Sequence, residues 1–186
     1  MRILGISGSL RENSYNSGLL RAAQELAPRG IDVQLYDGLG TLPPYDQDIQ
    51  DHDPPWPVRE MRERIAEADA LLIATPEYNG SIPGVLKNAI DWASRPFPDN
   101  ALRGKPVAVV GASTGGYGAM WAQADLRRVL GITGARVLEG ELPLARAQER
   151  FDDDGRLVDE AVRERVAGVV ERLAAEASLL PIAVAA

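Results

Sequence analysis

Apolar residues fall into two alternating patterns along this chain: short uninterrupted runs, and longer stretches in which they recur every three or four positions. Arg2–Ser7, Ile31–Tyr36, Ala70–Thr75, Val107–Ala112 and Ala135–Glu139 read as five strands. The runs around Ile3, Leu71 and Val109 are apolar nearly throughout, as in strands covered on both faces. Ile31, Val33 and Leu35 alternate with polar neighbours, as in an edge strand. Between the strands, Leu19, Leu20, Ala23 and Leu26 mark one face of a helix over Ser17–Ala27, and Val58, Met61, Ile65 and Ala68 mark a second. A third opens at Pro83, where a first turn tolerates proline, and carries Val85, Leu86, Ala89, Ile90 and Ala93. Ala119–Leu130 and Val158–Ala177 complete the set. This β-α repetition with right-handed crossovers predicts an α/β fold, a three-layer, doubly wound, five-stranded parallel sheet in the order 2-1-3-4-5.

Pro43–Pro57 is a proline-rich connection, expected to be an ordered surface loop, and Asp152–Gly155 is expected to turn the chain before the last helix. Residues 1–178 are expected to form one domain, leaving 179–186 as a tail that is either frayed or covered by another subunit. Composition narrows the chemistry. With no cysteine and one histidine, His52, the chain offers no disulfide, thiol redox pair or imidazole cluster, so a metal site is not expected and any redox role must use an organic cofactor. A net charge of −7 argues against general affinity for nucleic acid or anionic lipid. The absence of a signal-like or membrane-length apolar segment makes the cytoplasm the default location.

Three loops carry the remaining information. After the first strand, Gly8-Ser-Leu-Arg-Glu-Asn-Ser-Tyr-Asn16 enters a helix and combines backbone N–H groups with the side chains of Ser9, Arg11, Ser14 and Asn16. A hydroxyl-rich turn of that kind, with one fixed cation, suits a compact terminal phosphate. It contains neither G-x-G-x-x-G nor a phosphate-loop lysine motif, which disfavours a dinucleotide fold or an NTPase. After the third strand, Thr75-Pro-Glu-Tyr-Asn-Gly-Ser-Ile-Pro-Gly84 reads as a rigid shelf for a planar ring. After the fourth, Ala112-Ser-Thr-Gly-Gly-Tyr-Gly118 can bring backbone amides close to a ligand. In an open sheet of order 2-1-3-4-5 these loops share the crevice beyond the strand ends. A phosphate at one end of a crevice and a flat polar heterocycle at the other is the shape of flavin mononucleotide (FMN).

The stretches Gly8-Ser-Leu-Arg-x-x-Ser-x-Asn16, Thr75-Pro-Glu-Tyr-Asn-x-Ser-Ile-Pro-Gly-x-Leu-Lys-Asn-Ala-Ile-Asp-Trp92 and Gly104-Lys-Pro-Val107 resemble the NADPH-dependent FMN reductase family, over roughly Arg2 to Leu173. The resemblance implies a flavodoxin-like fold, tightly held FMN, NADPH or NADH as hydride donor, and homodimers or homotetramers whose neighbouring subunits help wall each site. It implies a quinone, azo compound, free flavin or metal oxyanion as small-molecule electron acceptor. Carried over by position, Ser9, Arg11, Ser14 and Asn16 hold the phosphate; Pro76, Glu77, Tyr78 and Asn79 line the ring; Ser113, Thr114, Gly115 and Gly116 approach its pyrimidine side. Gly118-Ala119 departs from the paired glycines of many relatives. Arg127 matches a position near a subunit interface in relatives, although helix arginines are usually solvated.

Because the flavin would carry the chemistry, no catalytic acid, base or nucleophile is expected from the protein, and kinetics should be ping-pong. A flavodoxin-like electron carrier or regulatory module without nicotinamide turnover is the alternative, and a colourless phosphosugar or nucleotide binder a third. Ser9, Ser14 and Asn16 could simply cap a helix. The Glu77 side chain is expected to be solvated, with its backbone facing the ligand, and Trp56, Trp92 and Tyr45 are expected to pack or to meet another subunit.

Overall fold

A computed structural model describes residues 1–140 and 142–179. The elements are β1 (Arg2–Ser7), α1 (Tyr15–Leu26), β2 (Asp32–Tyr36), α2 (Gln47–His52), α3 (Trp56–Glu67), β3 (Ala70–Ala74), α4 (Gly84–Ala93), β4 (Pro106–Ala112), α5 (Met120–Ile132), β5 (Arg136–Val137), β6 (Pro143–Leu144) and α6 (Glu160–Ser178). All strand pairs are parallel, in the order β2-β1-β3-β4-β5, with β6 also pairing β4.

Alternation along the strands sorts the core into two layers. Ile3, Leu72 and Val110 pack beneath α1 and α6 with Leu19, Val166 and Val170. Leu4, Ile6, Leu71 and Ile73 face α3, α4 and α5 with Met61, Leu86 and Leu126. Both β3 and β4 are buried along their whole length, as helices on both faces require. Trp92 has no exposed surface and donates from Nε1 to the Pro43 carbonyl at 2.8 Å, with Tyr45 edge-on to its ring. It is a packing residue that pins the β2–α3 connection to α4.

Three expectations change. The proline-rich connection contains α2, six residues without a buried side chain, started by Asp46, whose Oδ1 accepts the Asp48 N–H at 2.8 Å. Hydrophobic periodicity cannot reveal a helix that buries nothing. The fifth strand ends at Val137 rather than Glu139. The chain turns through Gly140 (φ 97°) and returns as β6 on the same edge of β4, opposite Gly111 and Ala112. α1 starts two residues early, α5 one residue late and α6 two residues late. The Gly104-Lys105 motif lies at the opposite end of the sheet from the strand C-termini. Lys105 Nζ donates there to the carbonyls of Ala66 and Ala68 at the end of α3, and burial holds its pKa below the usual lysine value. The segment 180–186, where a tail was expected, lies outside the described residues.

Candidate functional site

β1, β3 and β4 stop at the same rim of the sheet, and the loops that leave them enclose a crevice of about 140 Å³. Its walls include Ser9, Arg11, Ser14, Asn16, Pro76, Glu77, Tyr78, Ser113 and Thr114. The crevice opens past Arg11, Ser14 and Tyr15 into an adjoining cavity of about 290 Å³. A larger depression of about 590 Å³ lies between α2 and the C-terminal ends of α4 and α5, and shares no residue with the three loops. Size alone would select that depression. The smaller crevice is the candidate because it gathers unpaired donors, where the larger one gathers mixed side chains.

Those donors are concentrated in the β1–α1 turn. The backbone N–H groups of Leu10, Glu12, Asn13 and Ser14 have no acceptor among the described residues, and they precede the positive end of α1. Ser14 is the N-cap, its Oγ accepting the Asn16 N–H at 3.2 Å, and its hydroxyl hydrogen remains available. Arg11 is exposed and makes one long contact, 3.4 Å from Nη2 to the Asn13 carbonyl. No carboxylate neutralises it among the described residues. Ser9 is nearly buried, and its Oγ accepts the Arg11 N–H at 3.4 Å. Gly8 is closely packed: a Cβ there would stand 2.9 Å from Leu86 Cδ2 and 3.3 Å from Pro76 Cδ.

Asn16 differs from the expectation. Its Nδ2 donates to the Ala112 carbonyl at 3.0 Å and its Oδ1 accepts the Ala112 N–H at 2.9 Å, with both residues buried. The side chain is turned inward, tying the phosphate-like turn to the end of β4, so it stands behind the cradle.

The shelf is a miniature hairpin. Tyr78 and Ser81 exchange backbone bonds at 3.0 and 3.1 Å around Asn79 and Gly80, whose φ values of 53° and 76° suit an Asn-Gly pair in a two-residue turn. Asn79 therefore sits at the hairpin tip, exposed, while Pro76, Glu77 and Tyr78 line the crevice. The Glu77 carboxylate is not solvated as expected. Its Oε2 accepts the N–H groups of Trp121 and Ala122 at 3.0 and 3.1 Å, at the start of α5.

In the third loop the Ser113 N–H is committed to the Leu144 carbonyl at 3.0 Å, and its Oγ accepts the Gly115 N–H at 3.1 Å. The N–H groups of Thr114 and Gly116 have no acceptor among the described residues, and these two remain available to a ligand. Gly118 and Ala119 both take left-handed backbone angles, φ 60° and 61°. Gly118 admits no side chain, since a Cβ would lie 2.6 Å from the backbone of Pro143. Arg127 donates to the Gly140 carbonyl at 2.8 Å. His52 is exposed, and no cluster of metal-ligating side chains occurs among the described residues.

Comparison with known proteins fits this geometry. The NADPH-dependent FMN reductase family model matches residues 1–149. An NAD(P)H-dependent FMN reductase of Pseudomonas aeruginosa is 48% identical over 167 residues, 89% of each chain. A 2-hydroxy-1,4-benzoquinone reductase of a Burkholderia species is 40% identical over 176 residues, covering 94% of this chain and 95% of that one. Among solved structures, FerB, a flavoenzyme NAD(P)H:(acceptor) oxidoreductase from Paracoccus denitrificans, superposes with a TM-score of 0.82 at 38% identity, covering 95% of this chain and 96% of that one.

Proposed function

Because the chain belongs to the NADPH-dependent FMN reductase family, we propose that it is an FMN-dependent oxidoreductase that takes hydride from NAD(P)H and passes two electrons to a small-molecule acceptor, a quinone foremost. The observation that carries this reading is the convergence of three loops on one crevice, with N–H groups at both ends, and an arginine at one of them, that have no acceptor or carboxylate partner among the described residues. The donor set fits the cofactor: an anion for Arg11 and the β1–α1 amides, and polar ring atoms for the Thr114 and Gly116 amides.

Bound FMN would supply the hydride and electron chemistry. Arg11, Ser9, Ser14 and the N–H groups of residues 10 and 12–14 would hold its phosphate. Pro76, the Glu77 backbone and Tyr78 would support one edge of the ring, with Asn79 at the rim. The Thr114 and Gly116 amides, with Ser113 and Gly115 shaping their loop, would stabilise negative charge at the pyrimidine edge, as preorganised dipoles do for an oxyanion. Donor and acceptor would take turns on the exposed face of the ring, so that the kinetics are ping-pong. Azo compounds, free flavin and metal oxyanions fit the same open face. Tyr78, Tyr117 and Trp121, all largely exposed beside the shelf and the start of α5, are the surface on which a second copy would complete the site as a homodimer or homotetramer.

The test is the visible spectrum of purified protein, followed by anaerobic addition of NADPH or NADH and then a quinone. Bleaching by the nicotinamide and recovery with quinone are expected. Persistent yellow colour after nicotinamide would identify a carrier without turnover, and protein that does not take up FMN would refute the cofactor assignment.

A further inference from the structure

We propose that Glu77 is a positioning residue for the ring end of the crevice: its carboxylate fastens the shelf to the start of α5 and so sets the spacing between the two walls that grip a flat ligand. This rests on the FMN reading above. α5 begins without a local cap, because its N-cap is Ala119, held at φ 61° and lacking any side-chain acceptor. A serine, threonine, aspartate or asparagine ordinarily supplies that acceptor. Here it arrives from a distant part of the chain. Glu77 Oε2 takes the Trp121 and Ala122 N–H groups, and its charge opposes the positive end of the helix dipole.

A second tie runs parallel to the first. Ser81 Oγ donates to Asp125 Oδ2 at 2.8 Å, one turn further along α5. The hairpin between Tyr78 and Ser81 is thus held to α5 at both ends, while Pro76, Glu77 and Tyr78 line the crevice. The wall opposite the shelf leads directly into the same helix through Gly118 and Ala119. One carboxylate therefore registers both walls of the ring end, and neither tie touches the β1–α1 turn. Losing the Glu77 tie should therefore act at the ring end, and losing Arg11 at the phosphate end.

The experiment compares FMN with riboflavin, which has the ring but no phosphate, on full-length protein stripped of flavin, by quenching of flavin fluorescence well below each variant's melting temperature. Glu77→Ala is expected to weaken both ligands by the same factor, roughly tenfold, as loss of a charge-assisted contact implies. Glu77→Gln keeps a carbonyl that can accept the same N–H groups and loses only the charge assistance, so its loss should be clearly smaller than that of alanine. Arg11→Ala is the reference, weakening FMN alone. A Glu77→Ala protein with a lowered melting temperature but unchanged affinity for both ligands would make Glu77 a helix cap only, and overturn the proposal. Equal losses in the alanine and glutamine variants would overturn it as well. Should Glu77→Ala fail to fold, Ser81→Ala replaces it, with a loss of about two- to threefold expected in both ligands; no loss there overturns the proposal. Wild-type protein that binds neither ligand would refute the FMN reading itself, a result distinct from all of these.

Discussion

Replacing Asn16 by alanine should cost the flavin-free protein more stability than any other change in the β1–α1 turn. The side chain makes a two-way bond with the Ala112 backbone, at 3.0 Å and 2.9 Å, and each residue keeps only 3% of its surface exposed. Alanine removes both partners and leaves a buried N–H and a buried carbonyl, each costing about 1–3 kcal/mol when unsatisfied. Partial relaxation or an entering water makes the total less than additive, so about 2–4 kcal/mol is expected. At ~2–4 °C per kcal/mol for a chain of this size, the melting temperature falls by roughly 5–15 °C. Urea denaturation of protein stripped of flavin, followed by tryptophan fluorescence, measures the loss directly. Asn16→Asp supplies an internal control. It keeps the acceptor for the Ala112 N–H but sets a carboxylate against the Ala112 carbonyl, so it should be no more stable than alanine at neutral pH and should recover in part as acid protonates it. If Asn16 were instead a direct phosphate ligand, alanine would weaken FMN binding while leaving the flavin-free protein within 1 kcal/mol of wild type, a threshold set by the lower bound for one unsatisfied group. That result would refute the reasoning.

Other substitutions test neighbouring parts of the site. Arg11→Ala should fold normally but bind FMN roughly 10–150-fold more weakly, the equivalent of ~1.5–3 kcal/mol for one charge-assisted bond, as read by fluorescence titration. Gly118→Ala should destabilise by about 2–5 kcal/mol in the same urea assay, because its Cβ would strike the backbone of Pro143, Leu144 and Ala145 at 2.6–2.8 Å and its φ of 60° disfavours any side chain. Asp159 caps α6 and pairs with Arg150 at 2.6 Å. The Val162 N–H, followed by Arg150, holds its pKa below the ordinary aspartate value of 3.8. A depressed carboxylate contributes stability that is complete above its unfolded value and lost as pH falls through its folded value. Wild type should therefore lose its advantage over Asp159→Ala only below about pH 4, and an equal gap at pH 7 and pH 2 would contradict the assignment.

The strands, the main helices and the convergence of three loops were legible because each leaves a local mark. Continuous apolar runs mark β1, β3 and β4, periodic leucines and valines mark α1 and α6, and the proline- and glycine-rich stretch Thr75–Gly84 marks the shelf. α2 left no such mark, since none of its six residues is buried and its aspartate cap resembles any polar loop. β5 was read two residues too long, to Glu139, and β6 was not read at all, because two-residue strands have no period of their own. The free edge of β4 defines them, and Gly140 divides them.

The two side chains that departed from expectation did so for one physical reason. Asn16, in the first turn of α1, and Glu77, in the loop after β3, sit where their chemistry suggested a ligand or the solvent, and each instead satisfies backbone groups far away in sequence: Ala112 for one, Trp121 and Ala122 for the other. A loop at the rim of a parallel sheet receives no ladder partners of its own, yet its backbone still has to be paired where it is buried. Long-range side chains supply those pairs, and in doing so they join loops that would otherwise move independently. Asn16 joins the first loop to the end of β4, and Glu77 joins the second to the start of α5. The amides at residues 10, 12–14, 114 and 116 have no partners among the described residues and sit inside this braced frame. Their directions are therefore set before any ligand arrives, and a phosphate or ring edge that meets them bears little of the cost of ordering the loops.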